Sequence, residues 1–220
     1  LLVDYLIING YEAEGCDNYQ YDKNTKQMVE IIDNNRAIHK NDIYNLNFTK
    51  KYDLIFLSNV IEHFDDWQNA LKKIEKILKD DGIIIFLFPN YSFKIELHFI
   101  LPIIINKNIT YSIFKKKIHN LEKVNGRIGL WDSLNFIKPK DLVNYFSKKN
   151  YELSVDKDYF SRMLDKALIN SKKNNKKKSL LFLTLIFLSN VVSYTGLIKV
   201  YKFIPLIFHP FVKLIVKKTI

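Results

Sequence analysis

The chain has 220 residues, and 34 lysines and arginines against 23 aspartates and glutamates give it a formal net charge of +11. This length suffices for one domain with a substantial core, or for one domain with an appendage. The single cysteine, Cys16, excludes an internal disulfide and favours a reducing compartment such as the cytoplasm. The sequence also contains no Cys/His cluster with zinc spacing and no P-loop.

The first fifty residues predict one helix and two short strands. Leu1–Asn9 has helical apolar spacing, and Gly10 is placed to end that helix. Tyr11–Cys16 is apolar and partly alternating, as in a strand. Arg36–Lys40 is a second short strand. An aspartate follows each of these strands closely.

Lys51–Asn90 predicts a strand, an acidic turn, an amphipathic helix and a second strand. Tyr52–Leu57 is an apolar run of strand length, and Asp65–Asp66 supplies an N-cap and negative charge at a helix start. Gly82 is predicted to end the helix in the left-handed conformation, and Ile83–Phe88 is apolar on both faces. The predicted buried face of the helix consists of Trp67, Ala70, Leu71, Ile74, Ile77 and Leu78.

This β-α-β unit predicts where a ligand would bind. Strands that are apolar on both faces belong to a parallel sheet that helices cover on both sides. Such sheets bind ligands at the carboxyl ends of their strands. Ser58, Asn59, Glu62 and His63 follow the first of these strands, so a site is expected there.

The same segment resembles the middle of class I S-adenosylmethionine-dependent methyltransferases of the small-molecule, quinone-biosynthesis type, through the pattern YDLI…NVIEHF-DD…L…I…ILK-DDG-IIIFLFPN. The family's second and third strands resemble GYEAEGCDNYQYD and AIHKNDIYNLNF, and its later helix and sixth strand resemble WDSLNFIKPKDLVNYFSKKNYEL. The resemblance covers about Leu1–Phe160. It implies an α/β fold, a Rossmann-like three-layer sandwich whose mostly parallel sheet has an antiparallel last strand.

One family feature has no counterpart in the chain, namely the glycine-rich turn after the first strand. Leu1–Asn9 resembles the helix that follows this turn, and the sequence begins with Leu rather than Met. We interpret the sequence as the amino-terminally truncated part of a longer protein, with the first strand and the glycine-rich turn missing. The alternative is a natural protein that has lost cofactor binding.

The resemblance implies S-adenosylmethionine as cofactor and nominates residues that would hold it. Asp17 would accept hydrogen bonds from the ribose hydroxyls, and Asp42 from the adenine amino group beside the Ile43 backbone. Ser58 and Asn59 match positions beside the cofactor. Alternatively, the two aspartates are a solvated turn residue and the first residue of an Asp-initiated turn.

His63 is the candidate catalytic residue, because a hydroxyl acceptor benefits from a base with a near-neutral pKa. In quinone-type relatives a Glu-x-x-Glu-His arrangement is associated with a divalent metal. Glu62 and His63 match this arrangement, but Asn59 replaces the first glutamate, so we predict no metal site. In the remaining alternative His63 caps or packs the loop.

Tyr91–Phe136 is expected to form the acceptor pocket, because it follows the family's fifth strand. Its apolar run Phe99–Ile105 favours a lipid-like, prenyl or aromatic acceptor, although packing alone would also explain it. The predicted function is methyl transfer to an oxygen, and secondarily to a carbon, of a small molecule, lipid or glycan precursor. The alternatives are another Rossmann-type nucleotide-binding enzyme and a catalytically silent, membrane-associated binding module.

The last quarter of the chain holds the whole excess of positive charge. Residues 1–165 contain 23 lysines and arginines and all 23 acidic residues, whereas residues 166–220 contain 11 lysines and no acid. Ser171–Lys178 is a basic run, and Ser179–Ile198 is uncharged and begins with a strongly apolar half. We therefore predict a peripheral contact with an anionic membrane surface. The alternative is a cap of helices over the sheet.

These patterns divide the chain into a core at residues 1–160, a basic and apolar segment at 161–210 and a closing strand at 211–220. The strand is predicted from Phe211–Lys218, FVKLIVKK, and the alternative is a helical tail. Nucleic acid is excluded as a partner because the basic residues of the tail are interleaved with long aliphatic runs.

Overall fold

The structure is a computed structural model that describes residues 2–18, 37–45, 50–159, 162–163, 166 and 205–219. Its helices, in chain order, are α1 (Leu2–Ile8), α2 (Trp67–Lys76), α3 (Lys107–Asn125), α4 (Leu130–Ser133) and α5 (Pro139–Phe146). Its strands are β1 (Gly15–Asp17), β2 (Ile38–Lys40), β3 (Tyr52–Ser58), β4 (Leu78–Pro89), β5 (Ile95–Glu96), β6 (Leu101–Pro102), β7 (Tyr151–Val155) and β8 (Phe211–Lys218). Single 3-10 turns lie at Ile43–Asn45, Ile61–His63 and Leu206–Phe208.

Four strands form the main sheet in the order β3-β4-β8-β7. β3 and β4 are parallel, while β8 runs antiparallel to both β4 and β7. β1 and β2 pair with each other in parallel. The predicted Rossmann-like α/β fold with an antiparallel last strand is confirmed.

The β3-α2-β4 unit forms in the predicted order, but α2 ends at Lys76, so Leu78 lies in β4 and not on the helix as predicted. The Asp66 side chain caps α2 by accepting a hydrogen bond from the Asn69 N–H at 3.1 Å. Ala70, Leu71 and Ile74 form the buried face of the helix. The helix thereby covers one face of the sheet and brings β4 into parallel register beside β3.

The prediction for Gly82 was wrong. Helix α2 ends at Lys76, and Gly82 lies inside β4 without a positive φ angle. A Cβ atom at Gly82 would stand 2.7 Å from Leu78 Cδ1 and 3.0 Å from the Lys79 carbonyl oxygen. Glycine is therefore required here by a lack of space rather than by a left-handed turn.

The first two strands are shorter than predicted. The expected strand at Tyr11–Cys16 begins only at Gly15. Just before it, the Glu12 and Glu14 carboxylates accept hydrogen bonds from Lys50 Nζ at 3.1 and 3.3 Å. β2 begins at Ile38 rather than at position 36, which lies outside the described residues. Gly10, with φ of +83°, follows α1 as predicted.

Two hydrophobic cores hold the described part of the chain. The larger core lies between the main sheet and helices α2 and α5, and it includes Phe86, Phe146 and Leu214. The smaller core belongs to residues 91–136 and includes Phe99 and Trp131. Phe99 and Leu101 are buried in this core. Packing therefore accounts for part of the apolar run Phe99–Ile105, which was expected to contact the acceptor.

The predicted membrane-contacting segment, Ser171–Lys202, lies outside the described residues. Among the residues that the structure does describe, no helix is both long and apolar enough to cross a membrane.

Replacement of Gly82 by alanine should lower the free energy of unfolding by about 1–3 kcal/mol, because the new methyl group must displace a buried leucine or the strand backbone. Leu78→Ala alone should cost about 2–5 kcal/mol through the cavity it leaves. The double variant should lose less free energy of unfolding than the two single variants together, since the cavity left by Leu78→Ala accepts the new methyl group. Urea unfolding of the four proteins measures this coupling, and strictly additive losses would contradict the steric explanation.

Candidate active site

A cavity of about 730 Å³ lies at the carboxyl ends of β1, β2 and β3. Five residues that the sequence nominates come from separate segments and line it together, namely Asp17, Asp42, Ile43, Asn59 and His63. The sixth nominated residue, Ser58, is not among the lining residues that the structure describes.

Pairing of β1 with β2 brings the two aspartates to the same edge. Asp17 stands opposite Lys40, and the Asn41 N–H donates to the Asp17 carbonyl oxygen at 3.1 Å. The Asp42 side chain accepts a hydrogen bond from the Tyr44 N–H at 2.9 Å, so the Asp-initiated turn is present. A carboxylate has two oxygens with several acceptor sites, so this turn bond leaves Asp42 able to accept hydrogen bonds from a ligand as well.

Asn59 turns the chain sharply after β3. Its φ angle is +51°, a left-handed conformation that asparagine tolerates better than most residues. Its N–H donates to the Leu87 carbonyl oxygen at 2.7 Å, which extends the pairing of β3 with β4 by one bond. The turn at Ile61–His63 follows directly, and His63 is thereby placed at the cavity wall.

Cys16 lies in the same wall, between a glycine and Asp17. Its Sγ donates to the Asn41 carbonyl oxygen at 3.1 Å. The Cys16 residue is exposed to solvent, but partial desolvation of its thiol raises the pKa to about 11, and the nearby Asp17 and Asp42 carboxylates act in the same direction. The thiol is therefore protonated at neutral pH and is a poor nucleophile there.

Next to the cavity lies a group of four polar side chains, which we call the Glu–His cluster: Glu62, His63, Glu96 and His98. Glu62 is fully buried, and burial raises the pKa of its carboxyl group to about 7. Burial lowers the pKa of His63 to about 4, so its imidazole is neutral at neutral pH. A base with so low a pKa takes up a proton weakly, and the catalytic role of His63 stays a prediction.

Hydrogen bonds fix both imidazoles. His63 Nδ1 lies 2.9 Å from Ser133 Oγ, and His98 Nδ1 lies 2.7 Å from Glu96 Oε1. Glu96, itself fully buried, also accepts hydrogen bonds from the Phe99 N–H at 2.8 Å and the His98 N–H at 3.1 Å. The cluster is therefore ordered by the small core of residues 91–136.

Sequence reasoning did not nominate Glu96 or His98. Both lie in the segment that was expected to build the acceptor pocket, and their spacing of two, Glu-Leu-His, is the only local signal. Their approach to Glu62 and His63 depends on a fold of residues 91–136 that no periodic pattern indicates.

A family model, curated relatives and solved structures all indicate a methyltransferase domain. Residues 3–157 match the family described as "Methyltransferase domain". An uncharacterized protein of Mycobacterium tuberculosis strain H37Rv is 34% identical over 107 residues, which are 48% of this chain and 36% of that protein. The ubiquinone biosynthesis O-methyltransferase of Glaesserella parasuis serovar 5 is 27% identical over 104 residues, 47% of this chain and 37% of that enzyme.

Among solved structures, the plantazolicin methyltransferase BpumL in complex with a pentazolic desmethylPZN analog and SAH has a TM-score of 0.51 at 11% identity. The alignment covers 100% of this chain and 72% of that one, and it supports the fold. The chain spans 36% and 37% of the length of these two curated relatives.

The reactivity of Cys16 should follow its raised pKa. Alkylation by iodoacetamide requires the thiolate, so the rate should rise about tenfold per pH unit from pH 7 and level off only near pH 11. At pH 7 the folded protein should react about a hundredfold more slowly than the same protein unfolded in urea. Mass spectrometry of the alkylated fraction measures both rates, and a plateau near pH 8.5 in the folded protein would contradict the prediction.

Proposed function

The chain belongs to the methyltransferase-domain family, and on that premise we propose that its protein transfers a methyl group from S-adenosylmethionine to an oxygen of a small-molecule acceptor. One observation carries the proposal. Asp17, Asp42 and Asn59, which the family resemblance assigns to the cofactor, line one cavity together with His63.

The cavity fits a nucleoside-sized cofactor. Its volume of about 730 Å³ lies within the usual range of ligand pockets, about 300–1,000 Å³. A carboxylate at the end of β1, as in Asp17, is suited to accept hydrogen bonds from both hydroxyls of a ribose. When bound, S-adenosylmethionine supplies an electrophilic methyl group on a sulfonium sulfur.

The chain's own residues would bind the cofactor, orient the reacting groups and shield them from water. Asp17 would hold the ribose, and the turn at Asp42 and Ile43 would receive the adenine edge. Asn59 fixes the turn that brings His63 to the cavity. His63 would there help to hold the methyl acceptor in line with the sulfonium methyl group of the cofactor. Residues 91–136 would exclude water on the acceptor side, because their core packs behind Ser133 at the wall.

An oxygen acceptor is favoured over carbon by two observations. His63 of the Glu–His cluster lines the cavity and offers a polar group that can bind a hydroxyl, and the chain is similar to ubiquinone biosynthesis O-methyltransferases. Support for a lipid-like acceptor is weaker, since Phe99 and Leu101 are buried in the small core. Ile105, which is 79% exposed, is the apolar side chain of this run most open to a ligand.

Replacement of Asp17 by alanine should weaken binding of S-adenosylhomocysteine about 10–100-fold, which corresponds to about 1.5–3 kcal/mol for lost hydrogen bonds to a charged group. Calorimetry on the full-length protein measures the affinity. Asp53→Ala is the matched control, because that carboxylate is exposed at the start of β3 and pairs with Lys79. Equal affinities of wild type and Asp17→Ala would contradict the assignment.

Bound S-adenosylhomocysteine should also shield Cys16 from alkylation, because Cys16 precedes the proposed ribose ligand in the same wall. We expect the rate at pH 9 to fall at least tenfold, as measured by mass spectrometry, when the ligand is saturating. In Asp17→Ala the same ligand concentration should protect much less. Full reactivity of Cys16 in a protein saturated with the ligand would place the cofactor elsewhere.

A further inference from the structure

Three side chains of the Glu–His cluster converge on one point. Glu62, His63 and His98 each offer one ligand atom, and these atoms all lie within 4.8 Å of one another. Two of the residues belong to the turn after β3, and His98 belongs to the segment after β5. The group is therefore assembled by tertiary structure and not by a local motif.

Glu62 requires a positively charged or hydrogen-bonding partner. Its side chain is fully buried, and neither carboxylate oxygen has a hydrogen-bond partner within the described part of the chain. Buried carboxylates are costly unless they are paired or bind a metal. The Glu62 backbone is held firmly, since its carbonyl oxygen accepts from the Asn135 N–H at 2.8 Å.

The hydrogen bonds of His63 indicate which of its nitrogens can bind an ion. The Ser133 hydroxyl donates to the Leu130 carbonyl oxygen at 2.8 Å, so Ser133 Oγ accepts from His63 Nδ1–H. In the neutral imidazole the lone pair is therefore on Nε2.

His98 is arranged in the same way. Its Nδ1–H donates to the buried Glu96 carboxylate at 2.7 Å, which leaves Nε2 as the acceptor nitrogen. Metal-binding histidines commonly donate their other ring N–H to a carboxylate, which fixes the tautomer and makes the ligand more basic. Tyr91 adds a further bond to the same Glu96 oxygen at 3.3 Å.

We propose that Glu62, His63 and His98 bind one divalent transition-metal ion, such as Zn²⁺ or Co²⁺. Two imidazoles and one carboxylate suit these ions, whereas Mg²⁺ and Ca²⁺ prefer oxygen ligands. A doubly charged cation also balances the two buried carboxylates, Glu62 and Glu96. Three protein ligands leave a coordination position open.

This site differs from the Glu-x-x-Glu-His arrangement of the quinone-type relatives. Asn59 stands where that arrangement has its first glutamate, and the third ligand here is an imidazole from a different segment. The local motif alone, with Asn59 in place of its first glutamate, predicts no metal site. Since His63 also lines the cavity, a bound ion would lie beside the cavity. Any effect of this ion on the hydroxyl of a methyl acceptor rests on the proposed function.

The test is a titration of the protein, freed of metal by a chelator, with Zn²⁺ and separately with Mg²⁺. Calorimetry should show one equivalent of Zn²⁺ bound, with Mg²⁺ at least a hundredfold weaker. His98→Gln and Glu62→Gln should each lower the Zn²⁺ affinity at least tenfold. His119→Gln is the matched control, because His119 is exposed on α3 and bonds to Tyr111 at 2.8 Å, outside the cluster. It should bind Zn²⁺ as the wild type does.

Melting curves in the presence of chelator establish that the variants fold. X-ray absorption at the zinc edge identifies the ligands of the bound ion in the wild-type protein without any variant. Two imidazoles should coordinate the zinc. Absence of Zn²⁺ binding, unchanged affinity in folded His98→Gln, or a shell without imidazole would overturn the proposal. Binding of S-adenosylhomocysteine should keep its affinity in His98→Gln, whereas Asp17→Ala should weaken it and leave metal binding unchanged, so the two proposals fail separately.

Discussion

Parallel pairing of β3 with β4 determines where the turn that carries Glu62 and His63 can lie. The register joins Leu57 to Phe86 and Ser58 to Leu87, and the Asn59 N–H then closes the ladder on the Leu87 carbonyl oxygen. Because the pairing ends there, the chain turns at Asn59 through a left-handed residue. The turn that carries Glu62 and His63 is thus set at the carboxyl edge of the sheet, where parallel folds bind ligands.

Asn135 links this edge to the smaller core. Its side-chain amide donates to the carbonyl oxygens of Ile61 and Phe64 at 2.8 and 2.9 Å, and its backbone N–H donates to that of Glu62. These three bonds clamp both sides of the turn to residues 91–136. The position of His98 relative to His63 therefore depends on one asparagine as well as on packing around Trp131.

The sequence was sufficient to predict those elements that depend on local rules such as helix capping and apolar spacing. Helix α2 followed from its cap at Asp66 and its apolar spacing, whereas Asp17 and Asp42 were nominated through the family resemblance. Gly82 was misjudged because its small size serves a contact with Leu78 inside the strand. His98 could not be nominated, since its partners are brought near by the packing of a separate core.

Three groups in the cavity wall or beside it favour their neutral forms. Desolvation raises the pKa of Cys16 to about 11 and that of Glu62 to about 7, and it lowers the pKa of His63 to about 4. All three shifts favour the neutral form and have desolvation as their largest cause. Under the proposed function this environment suits the chemistry, because the charges of a sulfonium and an oxyanion cancel as a methyl group moves between them. The same desolvation makes a cation between Glu62 and the two imidazoles the simplest way to stabilise an ionised Glu62.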